Sequence, residues 1–66
     1  MYKLSLKELE VLSYLVQGLI NKQIAEKMCV THSTVKAHIS SIMYKLHVTT
    51  RTEAAYVAIK NKIIEI

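Results

Sequence analysis

Two pairs of residues with the capping-box pattern, Ser5 with Glu8 and Thr50 with Glu53, constrain the fold of this chain most strongly. In a capping box the first side chain accepts a hydrogen bond from the backbone N–H three residues later, and the carboxylate accepts one from the first residue's N–H. Helices are therefore expected to begin just after Ser5 and just after Thr50. The chain contains a single glycine and no proline, which suits a helical protein.

Apolar residues at helical spacing, together with the capping signals, predict the remaining elements. Four helices joined by short loops are expected over about 6–17, 22–28, 32–46 and 51–62. Gly18 suits the left-handed position that ends a helix, while Asn21 and Thr31 are suitable N-caps. No stretch alternates with the period of a strand. The predicted fold is therefore all-α, with residues 1–66 forming one domain.

The length of the chain leaves room for a core that is only just sufficient. A protein of 66 residues buries roughly 60% of its unfolded surface. Cys29 is the only cysteine, so no internal disulfide can form, and stability must come from packed helices or from a partner chain. The lone thiol, the absence of a long apolar run and the absence of a signal-peptide pattern predict a cytoplasmic protein without a membrane partner.

The basic residues are concentrated in the middle of the chain. The segment from Lys22 to Arg51 holds five basic residues and a single acid, which accounts for the whole formal net charge of +4. Basic side chains gathered on one element neutralise phosphates, so a polyanionic partner is one explanation. Chance on a slightly basic surface is the other, and charge alone does not separate the two.

The second and third predicted helices have the arrangement of a helix-turn-helix pair, whose second helix can lie in the major groove of DNA. On that helix one side is apolar, with Val35, Ile39, Ile42 and Leu46, and the other carries Ser33, Lys36, Ala37, Ser40, Ser41 and Tyr44. Small side chains allow close approach to base edges, Lys36 can donate to guanine or a phosphate, and the Ala37 methyl can touch a thymine methyl. An ordinary solvated helix face would have a similar composition.

Three motifs occur in order along the chain: Gly18-Leu19-x-Asn21-Lys22, Thr34-Val35-Lys36-x-His38 and Lys45-Leu46-x-Val48-x-x-Arg51. With Leu4-Ser5, Glu8 and the last capping box, they resemble the LuxR/GerE-type helix-turn-helix domain found in NarL-like response regulators. The resemblance spans nearly the whole chain. It departs from the family pattern at Leu6, at His47 and at Ser40 and Ser41, the last two standing where basic residues are common.

The resemblance implies a role for three groups of residues. The base-reading group on the recognition helix is Lys36, Ala37 and Ser40, with Ser33 on the same face. The DNA-backbone group is Thr34, Asn21, Lys22 and Lys45. The dimer group is Thr52, Tyr56, Ile59 and Ile63, which also form a stripe at helical spacing. The alternative for the apolar tail from Ile63 onward is that it folds back on the core.

The sequence offers little for catalysis. Cys29 and His32 are close together, but a zinc site needs about four ligands and a nucleophile needs a base and an orienting acid. Glu8 is expected to cap its helix, with pairing to Lys45 or Arg51 as a second role. We therefore expect neither an enzyme, nor a metal or other cofactor, nor a small-molecule ligand.

The predicted function is sequence-specific binding of double-stranded DNA by a homodimeric bacterial transcription regulator, with RNA polymerase as a further candidate partner. DNA binding would make this cytoplasmic protein nucleoid-associated. One alternative is a protein-interaction module that keeps the fold and has lost base reading. Another is a promoter-binding region like that of a sigma factor. The chain is either a stand-alone regulator or a piece of a larger one.

Overall fold

Four helices, which we label α1 to α4, make up the fold in the computed structural model, which describes residues 3–65. Their bounds are Leu6–Val16, Asn21–Met28, His32–Leu46 and Arg51–Lys60. α1 and α3 pack against each other, and α2 and α4 each pack against both. No strand occurs within the described residues, and the predicted all-α fold is confirmed.

Every helix contributes to a single hydrophobic core. The buried apolar residues are Val11, Leu12, Leu15, Ile24, Ala25, Val35, Ile39, Ile42, Leu46, Ala54 and Ala58. α3 supplies four of them, one turn apart along its buried side, so it is the central helix of the core. Among the helices of residues 3–65, none has the length and apolar character needed to cross a bilayer.

Both predicted capping boxes form. The Ser5 hydroxyl accepts from the Glu8 N–H at 3.1 Å, and Glu8 Oε1 accepts from the Ser5 N–H at 2.8 Å. Thr50 and Glu53 make the same reciprocal pair, at 3.1 Å in each direction. These bonds satisfy backbone donors that a helix start otherwise leaves free, which explains why α1 and α4 begin where the sequence predicts.

The predicted N-cap of α2 is wrong, and the predicted end of α4 lies two residues too far along the chain. α2 begins at Asn21, so Ile20 rather than Asn21 occupies the N-cap, and its N–H is satisfied by Gln23 Oε1 at 3.0 Å. α4 ends at Lys60 rather than at about residue 62, because the backbone turns left-handed at Lys62. α1 ends at Val16, one residue before the predicted end, a difference within the ordinary scatter of helix bounds.

Each of the four helices is followed, within two residues of its end, by a residue with positive φ. These residues are Gly18, Cys29, His47 and Lys62, with φ of 90°, 56°, 60° and 56°. After each, the next N–H bonds back to a carbonyl five residues earlier, as in Val48 to Met43 at 3.0 Å. Gly18 adopts this conformation without strain, whereas a side chain there costs roughly 1–2 kcal/mol.

We therefore expect His47→Gly to raise the free energy of unfolding by about 1 kcal/mol, since it removes the Cβ from a left-handed residue. For a domain of this size, such a change raises the melting temperature by about 4–8 °C. Thermal denaturation without DNA measures it. His47→Ala is the control, because alanine keeps the Cβ and brings no such gain; equal stabilisation by both variants would contradict the strain argument.

Candidate nucleic-acid interface

A tight connection joins α2 to α3. Three residues separate the two helices: Cys29, Val30 and Thr31. Cys29 supplies the left-handed bend, and the Thr31 hydroxyl caps α3 by accepting from the Thr34 N–H at 3.2 Å. A short helix followed by such a turn and a longer helix is the helix-turn-helix arrangement that the sequence predicts.

The outer face of α3 consists of Ser33, Lys36, Ala37, Ser40 and Tyr44, all exposed to solvent. Val35, Ile39, Ile42 and Leu46 are buried on the opposite side, as predicted. Except for Tyr44, the outer side chains near the middle of this face are short or flexible. The backbone of α3 can therefore come close to a flat or grooved partner along this face.

Ser41 does not belong to this outer face, contrary to the sequence-based assignment. It is half-buried, and its hydroxyl donates to Glu8 Oε2 across the α1–α3 interface. One turn further along α3, Lys45 Nζ lies 2.8 Å from Glu8 Oε1. The predicted cap at Glu8 and its pairing with Lys45 therefore both occur, whereas Arg51 binds elsewhere. Ser41 is therefore a hydrogen-bond partner of Glu8, and it is not a position on the outer face where a basic DNA contact has been lost.

Glu8 is 5% exposed and is the one buried charged residue in the part of the chain that the structure describes. Burial by itself would raise the pKa of its carboxyl, because it penalises the charged form. Hydrogen bonds from Lys45, Ser41 and the Ser5 N–H outweigh burial and lower the pKa to about 2. Glu8 is therefore an anion that ties the start of α1 to the second half of α3.

The candidate DNA-backbone residues differ in how available they are. Lys22 is exposed beside the start of α2. Thr34 is half-buried, and its hydroxyl lies 3.0 Å from that of Thr31. Lys45 is partly exposed, but its ammonium group already donates to Glu8. A phosphate at Lys45 would have to share this cation, so Lys22 is the more available charge.

Arg51 holds the start of α2 in place. Its guanidinium donates to the Leu19 carbonyl oxygen at 3.0 Å and to the side-chain oxygen of Asn21. Asn21 is thus fixed by its oxygen, which leaves its NH₂ group as the donor that a phosphate could use. The interaction connects the first residue of α4 to the loop before α2, where the helix dipole favours an anion.

The exposed side of α4 carries two large side chains. Tyr56 is 62% exposed and Ile59 is 43% exposed, while Thr52 is exposed one turn before Tyr56. Lys60 Nζ lies 5.5 Å from the centroid of the Tyr56 ring. Ile63 lies beyond the end of the helix and is half-buried against the core, as is Ile64. The stripe on the helix itself therefore ends at Ile59, in agreement with the alternative in which the tail folds back.

The remaining candidate residues lie in a turn, on a partly buried side of a helix and just after a helix end. Cys29 is exposed in the turn, His38 is half-buried on α3, and His47 is the left-handed residue after α3. Within residues 3–65, no group of three His, Cys, Asp or Glu side chains is placed to hold a metal ion.

Two long-range side-chain contacts near the candidate interface were missed by sequence reasoning. Ser41 precedes Lys45 by one helical turn, so both face the same direction on α3, and this spacing could have identified Ser41 as a second partner of Glu8. The contact between Arg51 and Asn21 joins residues 30 positions apart, and no local pattern predicts it.

The fold and this surface define a helix-turn-helix domain of four helices. The sequence profile described as "Bacterial regulatory proteins, luxR family" (GerE) matches residues 2–58. The transcriptional regulatory proteins YxjL and LiaR of Bacillus subtilis are 46% and 43% identical, over 89% and 92% of this chain and 27% and 29% of their own. The oxygen regulatory protein NreC of Staphylococcus carnosus is 42% identical over 94% of this chain and 29% of its own.

A solved structure has the same fold. The response regulator ChrA, of a heme-sensing two-component system, superposes with a TM-score of 0.91 at 41% identity, over 97% of this chain and 32% of ChrA. The chain belongs to the luxR family of bacterial regulatory proteins, which confirms the resemblance and the non-enzymatic assignment. It spans about three tenths of the length of these relatives, the part corresponding to a response regulator's output domain.

Proposed function

We propose that this domain binds double-stranded DNA by placing the outer face of α3 in the major groove, and that it does so as a two-fold dimer within a transcription regulator. Lys36, Ala37, Ser40 and Ser33 contact base edges in this proposal. Asn21, Lys22, Thr34 and, in competition with Glu8, Lys45 contact the sugar-phosphate backbone. Thr52, Tyr56 and Ile59, with Ile63 at the edge, form the dimer contact.

The observation that carries the proposal is the exposed outer face of α3, with short side chains around Lys36 and the turn to α2 beside it. A helix can enter a groove about 12 Å wide when the side chains on its leading face are short. Lys22 and Lys27 add exposed positive charge on α2, the helix that the turn joins to α3. Family membership adds independent support, since the matched relatives are transcriptional regulatory proteins.

The protein-interaction alternative rests on two observations. Lys36 is the sole cation on the outer face of α3, and Tyr56 and Ile59 are exposed on α4. A titration with duplex DNA at two salt concentrations separates the two proposals, because only DNA binding gives an affinity that falls systematically with salt. Selection of bound duplexes from a random pool then identifies the site. Paired half-sites about one helical turn apart would favour a dimeric regulator over a sigma-factor-like region.

The division between base and backbone contacts is tested with Lys36→Ala and Lys22→Ala. We expect Lys36→Ala to weaken binding to the selected site by about tenfold and to relax the preference at one base position. Lys22→Ala should weaken binding evenly across sequences and reduce the salt slope by about 1. Fluorescence anisotropy with matched and mismatched duplexes measures both effects.

The matched control is Lys7→Ala, which removes an exposed cation from α1. It corrects for the loss of net charge alone. Equal losses for Lys36→Ala and Lys22→Ala on every duplex would refute the assignment of Lys36 to base reading.

A further inference from the structure

Tyr44 is a large exposed side chain to which the proposed function gives no role. It lies near the end of α3 and is 83% exposed. Exposure alone assigns nothing, because single aromatic or apolar side chains are common on protein surfaces. Its position relative to the outer face of α3 is more informative.

Tyr44 points in the same direction as the short residues of the outer face. At about 100° per residue, it lies within about 40° of Ser33, Ala37 and Ser40 around the axis of α3. At a rise of about 1.5 Å per residue, it is about 16 Å beyond Ser33 and about 6 Å beyond Ser40 along the axis. Any surface that α3 approaches along this face must therefore also meet Tyr44.

The dimensions of DNA indicate what Tyr44 meets. When α3 enters the groove with Ser33 against base edges and its axis running across the groove, Tyr44, about 16 Å further along, reaches the edge of a major groove about 12 Å wide. The sugar-phosphate backbone forms the wall of the groove at that distance. A tyrosine hydroxyl is among the neutral donors that contact phosphates, and its ring can pack on the deoxyribose.

The two lysines of α3 are not readily available to a phosphate at the end of the helix where Tyr44 lies. Lys36 lies in the first half of the helix, and Lys45, the cation next to Tyr44, is paired with Glu8 at 2.8 Å. We propose that the Tyr44 hydroxyl donates a hydrogen bond to a phosphate at the edge of the major groove. The inference rests on the proposed function and adds to it a neutral backbone contact at the end of α3.

Salt dependence distinguishes this contact from one made by a lysine. Loss of a lysine contact reduces both affinity and the slope of log affinity against log salt, because fewer counterions are released. Loss of the uncharged tyrosine hydroxyl reduces affinity but leaves the slope unchanged, because its contact with a phosphate releases no counterion. We expect Tyr44→Phe to weaken binding to the selected duplex by about tenfold at constant slope, and Tyr44→Ala to weaken it further.

The experiment measures the affinity of the folded chain at several salt concentrations for the wild type, Tyr44→Phe, Tyr44→Ala and Tyr14→Phe. Tyr14 is half-buried on α1, so Tyr14→Phe removes a hydroxyl elsewhere and should bind like the wild type. Thermal denaturation verifies that each variant is folded. Because Tyr44 is exposed, neither of its variants should change the melting temperature appreciably.

Tyr44→Phe binding within twofold of the wild type would overturn the inference, even if Tyr44→Ala binds weakly, because the hydroxyl would then have no role. A smaller salt slope for Tyr44→Phe would also overturn it. If the wild type binds with a salt slope that Lys22→Ala reduces, either result overturns the Tyr44 inference alone. If the wild type shows no salt-dependent affinity for any duplex, that result contradicts both the proposed function and the Tyr44 contact.

Discussion

Replacing Glu8 with Gln is expected to lower the free energy of unfolding at pH 7 by about 3 kcal/mol. The carboxyl is buried between α1 and α3, and its contacts with Lys45 and Ser41 lower its pKa from 4.5 to about 2. Each unit of this difference corresponds to about 1.36 kcal/mol. Glutamine resembles the protonated carboxyl, so it loses this stabilisation and also leaves Lys45 without an anion.

The same group predicts how stability changes with pH. The pKa of Glu8 is lower in the folded state, so its contribution is fully present above pH 4.5 and is lost as the pH falls towards 2. Urea denaturation at pH 7 and at several values below 4.5 should show this loss in the wild type and a much smaller one in Glu8→Gln. Glu53, whose pKa is lowered by bonds from Thr49 and Thr50, contributes in the same direction in both proteins.

Glu26→Gln is the control, because Glu26 is exposed on α2 and surface substitutions change stability by less than about 0.5 kcal/mol. A Glu8→Gln protein as stable as the wild type at pH 7, with the same sensitivity to acid, would show that the α1–α3 contact does not depend on the charge.

The double substitution Tyr56→Asp with Ile59→Asp is expected to abolish the proposed dimer. Both side chains are exposed on α4, and two carboxylates facing their symmetry mates would lose apolar contact and repel. A dimer gains affinity for paired half-sites through the high effective concentration of its second domain, so we expect binding to a paired site to weaken by about 100-fold.

Binding to a duplex with a single half-site separates this effect from the added charge. The affinity for the single half-site should change little, because one domain alone occupies that duplex. Leu6→Asp, at an exposed apolar residue of α1, is a further control and should bind the paired site like the wild type. Cooperative binding to the paired site that survives the double substitution would contradict a dimer contact at Tyr56 and Ile59.

Local signals were sufficient to predict most of the fold. The Ser5 and Thr50 capping boxes fix where α1 and α4 begin, since both partners of each hydrogen bond lie within three residues. Gly18 marks the end of α1 for a similarly local reason. Ends marked by other residues are harder to predict, and the predicted last helix ran past Lys60 because Lys62 gives no sign of its left-handed conformation.

Contacts between distant residues account for what the sequence did not reveal about the candidate site. Asn21 is suitable as an N-cap by composition, but Arg51 binds its side chain, and the preceding residue becomes the cap. Ser41 lies at the border between the outer and buried sides of α3, and its assignment depends on which helix packs there. Its spacing from Lys45 indicates that the two residues share one side of α3, and the position of Glu8 on α1 determines that this side is partly buried.

Three residues with side chains adopt left-handed conformations after α2, α3 and α4. They make the domain less stable than it would be with glycine at those positions. Cys29, His47 and Lys62 each hold a conformation that glycine or asparagine would adopt at lower cost. None of the three lies on the outer face of α3. Substituting these three residues is therefore a way to make the domain more stable while leaving the outer face of α3 unchanged.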